Sequence, residues 1–129
     1  VGQASLAREG QPAVGFAVAD QRSIPLRDGC VELVIAGWSV SAIKSEVEEW
    51  NHASGLADET AWRGDVDRCL GEMERVLVDG GSIIILESQG TASEQARRRG
   101  SHLYEHLRSR GFAESCIRTD YRFSRKDAA

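Results

Sequence analysis

The sequence has 129 residues, of which 41% are hydrophobic and 28% are charged, and its formal net charge is -4 at pH 7. This composition fits one soluble domain with a modest core and argues against intrinsic disorder. The small negative charge does not favour nucleic acid or an anionic membrane surface as a partner. The longest apolar runs, at residues 13–19 and 83–86, are far shorter than the roughly 18 residues of a membrane span, so we expect no membrane segment or signal peptide.

The three cysteines, Cys30, Cys69 and Cys116, are an odd number without C-x-x-C spacing. This pattern predicts reduced, buried or half-buried thiols and a cytoplasmic location. The only methionine, Met73, lies inside a helix pattern, and residues 123–129 resemble a helix start that stops before its apolar face. We therefore expect both termini to be cut from a longer product.

Three short apolar runs predict buried strands. They lie at residues 14–19, 31–36 and 82–86. Strands that are apolar on both faces are typical of a parallel sheet covered by helices on both sides. Between the second and third runs, one helical stripe is predicted from the spacing of Val66, Cys69, Leu70, Met73, Val76 and Leu77. We expect this helix to end at the Asp-Gly-Gly of residues 79–81, which gives a strand, helix, strand crossover.

The rest of the sequence predicts smaller elements. Residues 45–50 favour a short helix followed by an irregular loop, and residues 93–109 favour a longer helix that ends at Gly111. Residues 112–123 are of mixed polarity and predict one or two antiparallel edge strands.

Ligands of an open parallel sheet bind beyond the carboxyl ends of its strands. That rule selects residues 20–21, 37–39 and 87–88 on one edge of the predicted sheet. An aspartate such as Asp20 at a strand end can accept a hydrogen bond from the exocyclic amine of an adenine. Alternatively, Asp20 caps the turn into residues 21–23.

Two stretches resemble the class I S-adenosylmethionine-dependent methyltransferases that act on small molecules. Residues 18–36 match a strand ending in Asp, a Leu-Pro-Phe-like loop, an Asp-Gly turn and a Phe-Asp-Leu-Val strand. Residues 69–85 match the helix, the Arg-Val-Leu-x-Pro-Gly-Gly turn and the strand that follows it. With the flanking strand residues, the resemblance covers residues 14–88.

The resemblance implies S-adenosylmethionine as cofactor. Asp20 matches the adenine-binding aspartate, Gln21 is expected beside the ring, and Gly37 and Trp38 match the loop that contacts the methionine half. Trp38 is otherwise a core or interface aromatic. The family's first strand, its Gly-x-Gly loop and its ribose-binding acidic residue are expected before residue 14, where the sequence has none of them.

The implied architecture is an α/β fold: a partial Rossmann-like methyltransferase sheet, mostly parallel with an antiparallel C-terminal edge, in one partial domain spanning residues 1–129. In the resembled fold, two strands that are missing here separate the runs at 14–19 and 31–36. Exposed apolar strand edges are prone to association. We therefore expect self-association, another subunit or a rearranged sheet to cover them.

The functional expectation is methyl transfer to a small-molecule acceptor by the parent domain. No catalytic residue is identified, and residues 37–43 lack the Asn-Pro-Pro-Tyr-like signature of amino-group methyltransferases of DNA and protein. Because alignment supplies much of the rate of a direct displacement, a dedicated base is optional. The alternative is a non-catalytic remnant that acts through association.

Three other features fit either a functional site or an ordinary structural role. His102, Glu105 and His106 have the H-x-x-E-H spacing of inverted zinc peptidases but lack a clear third ligand, so we predict a solvated helix face and no metal site. The arginines at 97–99, 108 and 110 make one helix locally basic, and they fit a phosphate or nucleic-acid contact less well than a solvated face. Trp50 and Trp62 line an acceptor pocket or anchor the irregular loop.

Overall fold

A computed structural model of the chain describes residues 4–6, 13–55, 58, 60–88 and 102–117. The chain divides into two compact units, Val1–Arg98 and Arg99–Ala129. The fold is α/β, with a small parallel two-stranded sheet and three helices among the described residues.

The parallel sheet of the first unit pairs β3 (Val31–Gly37) with β4 (Leu77–Leu86). Two helices, α1 (Val40–Ala53) and α2 (Trp62–Val76), connect the two strands. The predicted crossover from strand through helix to parallel strand is therefore confirmed. Parallel strands need such a long connection, because a tight turn can join only antiparallel neighbours.

The predicted first strand, at residues 14–19, is wrong in length and pairing. The observed strand β2 (Val14–Phe16) pairs antiparallel with β1 (Ala4–Leu6) in a separate two-stranded sheet. Val14, Phe16 and Val18 are half or more exposed. The apolar run predicts a buried strand. A strand is buried in a parallel sheet only when other strands lie beside it, and the hydrophobicity of one segment does not determine those neighbours.

Helix α1 is longer than the predicted helix at residues 45–50. It begins at Val40, and its first turns bury Val40 and Ile43. The Glu87 carboxylate accepts a hydrogen bond of 2.9 Å from the backbone N–H of Ser41. A carboxylate at a helix N-terminus satisfies an otherwise unpaired donor and interacts favourably with the helix dipole. The cap comes from a distant strand, so the local sequence did not indicate this helix start.

The apolar stripe predicted for α2 is confirmed, but the predicted end of that helix is wrong. The helix buries Val66, Cys69, Leu70, Met73 and Val76. It ends at Val76 because the backbone N–H groups of Gly29 and Cys30 donate to the carbonyl oxygens of Arg75 and Val76, at 2.9 and 2.8 Å. Leu77, predicted to be in the helix, has extended backbone and begins β4.

The Asp-Gly-Gly of residues 79–81 forms an irregularity inside β4 instead of a helix cap. The strand pairing passes from Val31 opposite Leu77 to Leu33 opposite Ser82, so the β4 segment is longer than its partner. Gly80 has a positive φ of 78°, a backbone region that glycine adopts without steric cost. At Gly81 an added Cβ would lie 3.0 Å from the Glu32 carbonyl oxygen, so glycine is required by space there.

The two faces of the β3–β4 sheet differ in burial. Val34, Ala36, Ile83 and Ile85 are buried or half-buried, and α2 packs against both α1 and β4. On the opposite face Leu33, Ile35, Ile84 and Leu86 are 44–60% exposed. We call these four residues the open face. Within the described residues, the expected helical cover is thus present on one side of the sheet.

The second unit contains α3 (His102–Ser109), which buries Leu103 and Leu107. Gly111 ends it as predicted: its φ is 95°, and the N–H groups of Gly111 and Phe112 donate back to the carbonyls of Arg108 and Leu107. Residues 112–117 form no strand, and the rest of the predicted strand region, like the predicted helix residues 93–101, lies outside the described residues. None of the described helices is long and apolar enough to cross a membrane.

Candidate functional site

A cavity of about 590 Å³ lies at the carboxyl end of β3. The loop before β3 contributes Asp20, Gln21 and Arg22 to its wall, the turn after β3 contributes Ser39, and α1 contributes Glu46. The floor is apolar, from Val34, Ala36, Ile43 and Met73. The cavity is shallow and widely open to solvent, and its mixed apolar and polar lining makes it a candidate small-molecule site.

Asp20 is held by a local turn. Its Oδ1 atom accepts a hydrogen bond of 2.8 Å from the backbone N–H of Arg22, and its own carbonyl oxygen accepts one of 2.9 Å from Ser23. The Arg22 guanidinium also contacts both carboxylate oxygens, with Nη2 2.9 Å from Oδ2. These side-chain and backbone bonds from Arg22 hold the pKa of Asp20 below its usual value. The capping role weighed for Asp20 is therefore present in the structure.

Gln21 joins two of the three strand-end positions chosen from the sequence. Its Nε2 atom donates a hydrogen bond of 2.9 Å to the carbonyl oxygen of Ser39. Its Oε1 atom is buried and has no donor among the described residues. Buried carbonyl oxygens are nearly always hydrogen-bonded, since a missing bond costs about 1–3 kcal/mol. Because a water-sized molecule does not reach this oxygen, the missing bond is an incompletely satisfied contact inside the fold and not an acceptor open to the cavity.

Gly37 and Trp38 lie at the same strand end but do not line the cavity. Trp38 has a positive φ of 52°, is 63% exposed, and donates its backbone N–H to the Leu86 carbonyl oxygen at 2.8 Å. A left-handed backbone is uncommon for a large residue and is found preferentially at functional sites and tight connections. Its exposure rules out the core alternative and keeps the interface one. At Gly37 an added Cβ would meet nothing within 4 Å, so the fold itself does not require glycine.

A second polar cluster, which the sequence reasoning missed, fixes the loop between Asp20 and β3. Arg75 of α2 donates to the carbonyl oxygens of Ile24 and Leu26, both at 2.8 Å, and to the Asp28 carboxylate at 2.7 Å. Glu72 accepts from the Ile24 N–H at 2.7 Å and from Arg75. The Arg75 and Ile24 bonds lower the pKa of Glu72 to about 2. The local sequence shows only an i, i+3 charge pair on a helix, whereas its other partners are 47 to 51 residues away.

The other residues singled out from the sequence have simpler surroundings. Trp62 is buried, and the centre of its ring lies 5.5 Å from Lys44 Nζ and 5.6 Å from Arg63 Cζ. It therefore anchors the start of α2. Trp50 is exposed and lines a second cavity of about 630 Å³. His102 lies 3.7 Å from Glu105, and no group of three metal-ligating side chains occurs among the described residues. The arginines at 97–99 lie outside those residues.

The thiol of Cys69 is unsuited to chemistry at neutral pH. Its side chain is completely buried in α2, and burial raises its pKa to about 11. Because the thiolate is the reactive form, this cysteine acts as a small apolar core residue.

Comparison of the chain with protein-family models, with curated proteins and with solved structures gave no match. The function is therefore inferred from the cavity, its polar wall and the strand ends around it. Among these features, the cavity wall formed by Asp20, Gln21 and Ser39 points most directly to a ligand, because it places polar groups beside an apolar floor.

Proposed function

We propose that the chain belongs to a Rossmann-like domain for S-adenosylmethionine-dependent methyl transfer to a small molecule. Its cavity would take the adenine end of the cofactor. The observation that carries this proposal is the Asp20 carboxylate in the polar wall of the cavity, beside an apolar floor. A carboxylate oxygen can accept a hydrogen bond from the exocyclic amine of a purine, and the apolar floor suits the ring.

The residues proposed to hold the cofactor are Asp20, Gln21, Gly37 and Trp38. Asp20 and Gln21 are assigned to adenine, since both line the cavity. Gly37 and Trp38 are assigned to the methionine half, because Gly37 ends β3, Trp38 follows it, and the carbonyl of the adjoining Ser39 accepts a hydrogen bond from Gln21. The cofactor supplies a methyl group on a sulfonium; the chain's part is to bind and align. The cytoplasmic location predicted from the cysteines belongs to this proposal.

Calorimetric titration of the chain with S-adenosylhomocysteine tests the proposal. We expect saturable binding, weakened about tenfold by Gln21→Leu, because Gln21 lies in the cavity wall and its bond to the Ser39 carbonyl, which positions that wall, is then lost. Ser23→Ala, in the same exposed loop, is the matched control and should leave the affinity unchanged. The inosine counterpart, which has an oxygen in place of the amine, should bind at least tenfold more weakly. Absence of binding, or equal binding by Gln21→Leu, would contradict the proposal.

A second candidate function is association without catalysis, which the open face favours. Four large aliphatic side chains are 44–60% exposed on one side of the sheet. Contiguous apolar surface of this kind marks interaction sites more often than isolated exposed residues do. The expected partner is a second copy of the chain or another subunit. Analytical ultracentrifugation of the unmodified chain and of Ile84→Glu distinguishes these two partners. If a second copy covers the open face, the unmodified chain should be a dimer, and the charge introduced by Ile84→Glu should dissociate it.

A further inference from the structure

Arg22 already occupies both carboxylate oxygens of Asp20. The Arg22 Nε atom lies 3.0 Å from Oδ1 and 3.2 Å from Oδ2, and Nη2 lies 2.9 Å from Oδ2. The backbone N–H of Arg22 adds a further bond of 2.8 Å to Oδ1. The Nε atom carries one hydrogen, so its two contacts are the limbs of one shared bond, and three N–H groups of Arg22 face the roughly four lone-pair positions of the carboxylate. A ligand amine that binds Asp20 therefore competes with Arg22 for most of these positions.

The guanidinium is the group that can leave. The turn that orients Asp20 uses backbone N–H groups of Arg22 and Ser23, and these bonds persist when the Arg22 side chain moves. The ion pair itself is partly solvated, with the Asp20 side chain 48% exposed. Exposed ion pairs contribute little net free energy, so a ligand can compete with this one.

A second carboxylate is close enough to receive the displaced guanidinium. Asp65, in the first turn of α2, has its Oδ2 atom 3.7 Å from Arg22 Nη1, too long for a good hydrogen bond but within reach of a small side-chain rotation. Arg22 lines both cavities, whereas Asp65 lines only the second. Rotation toward Asp65 thus moves the guanidinium away from the cavity that Asp20 and Gln21 line.

We propose that Arg22 is an internal competitor for the ligand site: its guanidinium pairs with Asp20 in the free chain and shifts to Asp65 when a ligand amine binds Asp20. The identity of that ligand rests on the proposed function. The affinity for the ligand falls as the fraction of molecules with Arg22 paired to Asp20 rises. Asp65 lowers that fraction, because it offers the guanidinium another partner.

The first arm of the test compares ligand affinities by calorimetry with S-adenosylhomocysteine. Arg22→Gln removes the competitor and should tighten binding about 2- to 10-fold, whereas Asp65→Asn removes the second partner and should weaken it about 2- to 5-fold. Arg27→Gln, an exposed arginine of the same loop, is the charge-matched control and should have no effect. A merely structural Arg22 would give the opposite sign, so weaker or unchanged binding by Arg22→Gln overturns the proposal.

The second arm needs no ligand and measures the order of the Arg22 side chain by ¹⁵Nε relaxation. Arg22 should be ordered in the unmodified chain, should stay ordered in Asp20→Asn because it shifts to Asp65, and should become mobile in Asp20→Asn/Asp65→Asn. A mobile Arg22 in the single variant, or an ordered one in the double variant, overturns the proposed shift. If the expected relaxation pattern is found but no variant binds S-adenosylhomocysteine, the proposed cofactor fails and the exchange between carboxylates stands.

Discussion

The two faces of the β3–β4 sheet are built from the same kinds of residue but have different surroundings. On the covered face, where α2 packs against β4, Val34 and Ile83 are half-buried, whereas on the open face Ile35 and Ile84 are exposed. Because strand side chains alternate between faces, one run of aliphatic residues serves both. The aliphatic residues of the strands make both faces of the sheet apolar. The helix that covers one face is specified by a different segment of the chain.

The largest predicted effect concerns the covered face. Leu70 of α2 is completely buried, so Leu70→Ala leaves a cavity that its neighbours cannot fill. We expect the free energy of unfolding to fall by about 2–5 kcal/mol. Urea denaturation followed by circular dichroism measures this loss.

Ile84→Ala is the matched change on the open face, where the side chain is 44% exposed. If this face is solvated, the free energy of unfolding changes by only about 0.5 kcal/mol. A loss as large as that of Leu70→Ala, growing with protein concentration, would instead mean that a second copy covers the open face.

The sequence predicted the covered face well, because its signals are periodic and local. The stripe of α2 follows from helix spacing, and the parallel pairing of β3 with β4 follows from the two apolar runs that the helical connection joins. What could not be predicted depends on distant partners. Glu87 extends α1, and the backbone of Gly29 and Cys30 ends α2.

The same reason explains the residues that sequence reasoning missed at the site. Arg22 was seen only as part of a turn, yet its guanidinium contacts Asp20 and approaches Asp65 on α2. The strand at residues 14–19 was predicted to join a parallel sheet, and instead Val14–Phe16 pairs with Ala4–Leu6. Hydrophobicity does not encode which edge a strand pairs with.

Helix α2 also holds a neighbouring loop through polar contacts, in addition to covering the sheet with its apolar stripe. Arg75→Gln removes the guanidinium that holds the loop carbonyls of Ile24 and Leu26. We expect a destabilisation smaller than that of Leu70→Ala, with faster amide hydrogen exchange at Ile24. Arg68→Gln, an exposed arginine of the same helix, is the control. Equal exchange in the two variants would show that the loop is held without Arg75.

The smallest predicted effect is the acid dependence of the same anchor. The pKa of Glu72 is lowered from 4.5 to about 2 by its bonds to Arg75 and Ile24, so its charged form is favoured in the folded state. A lowered folded pKa adds stability that is present above the unfolded value and is lost as pH falls from about 4.5 toward 2. Glu72→Gln should therefore show a shallower decline of the urea midpoint over that pH interval than the unmodified chain.

Glu74→Gln is the control for this acid effect. Glu74 is an exposed carboxylate on the same helix, and its substitution by Gln removes the same charge as Glu72→Gln does. Other carboxylates titrate in the same interval, so the informative quantity is the difference between the two variants. If Glu72→Gln and Glu74→Gln decline with equal slopes, the Glu72–Arg75 pair is solvated and the loop is held by the Arg75 bonds to backbone carbonyls. A shallower slope for Glu72→Gln alone means that the carboxylate helps to hold the loop, and acid should then also lower the protection factor of the Ile24 amide, after correction for the pH dependence of intrinsic exchange.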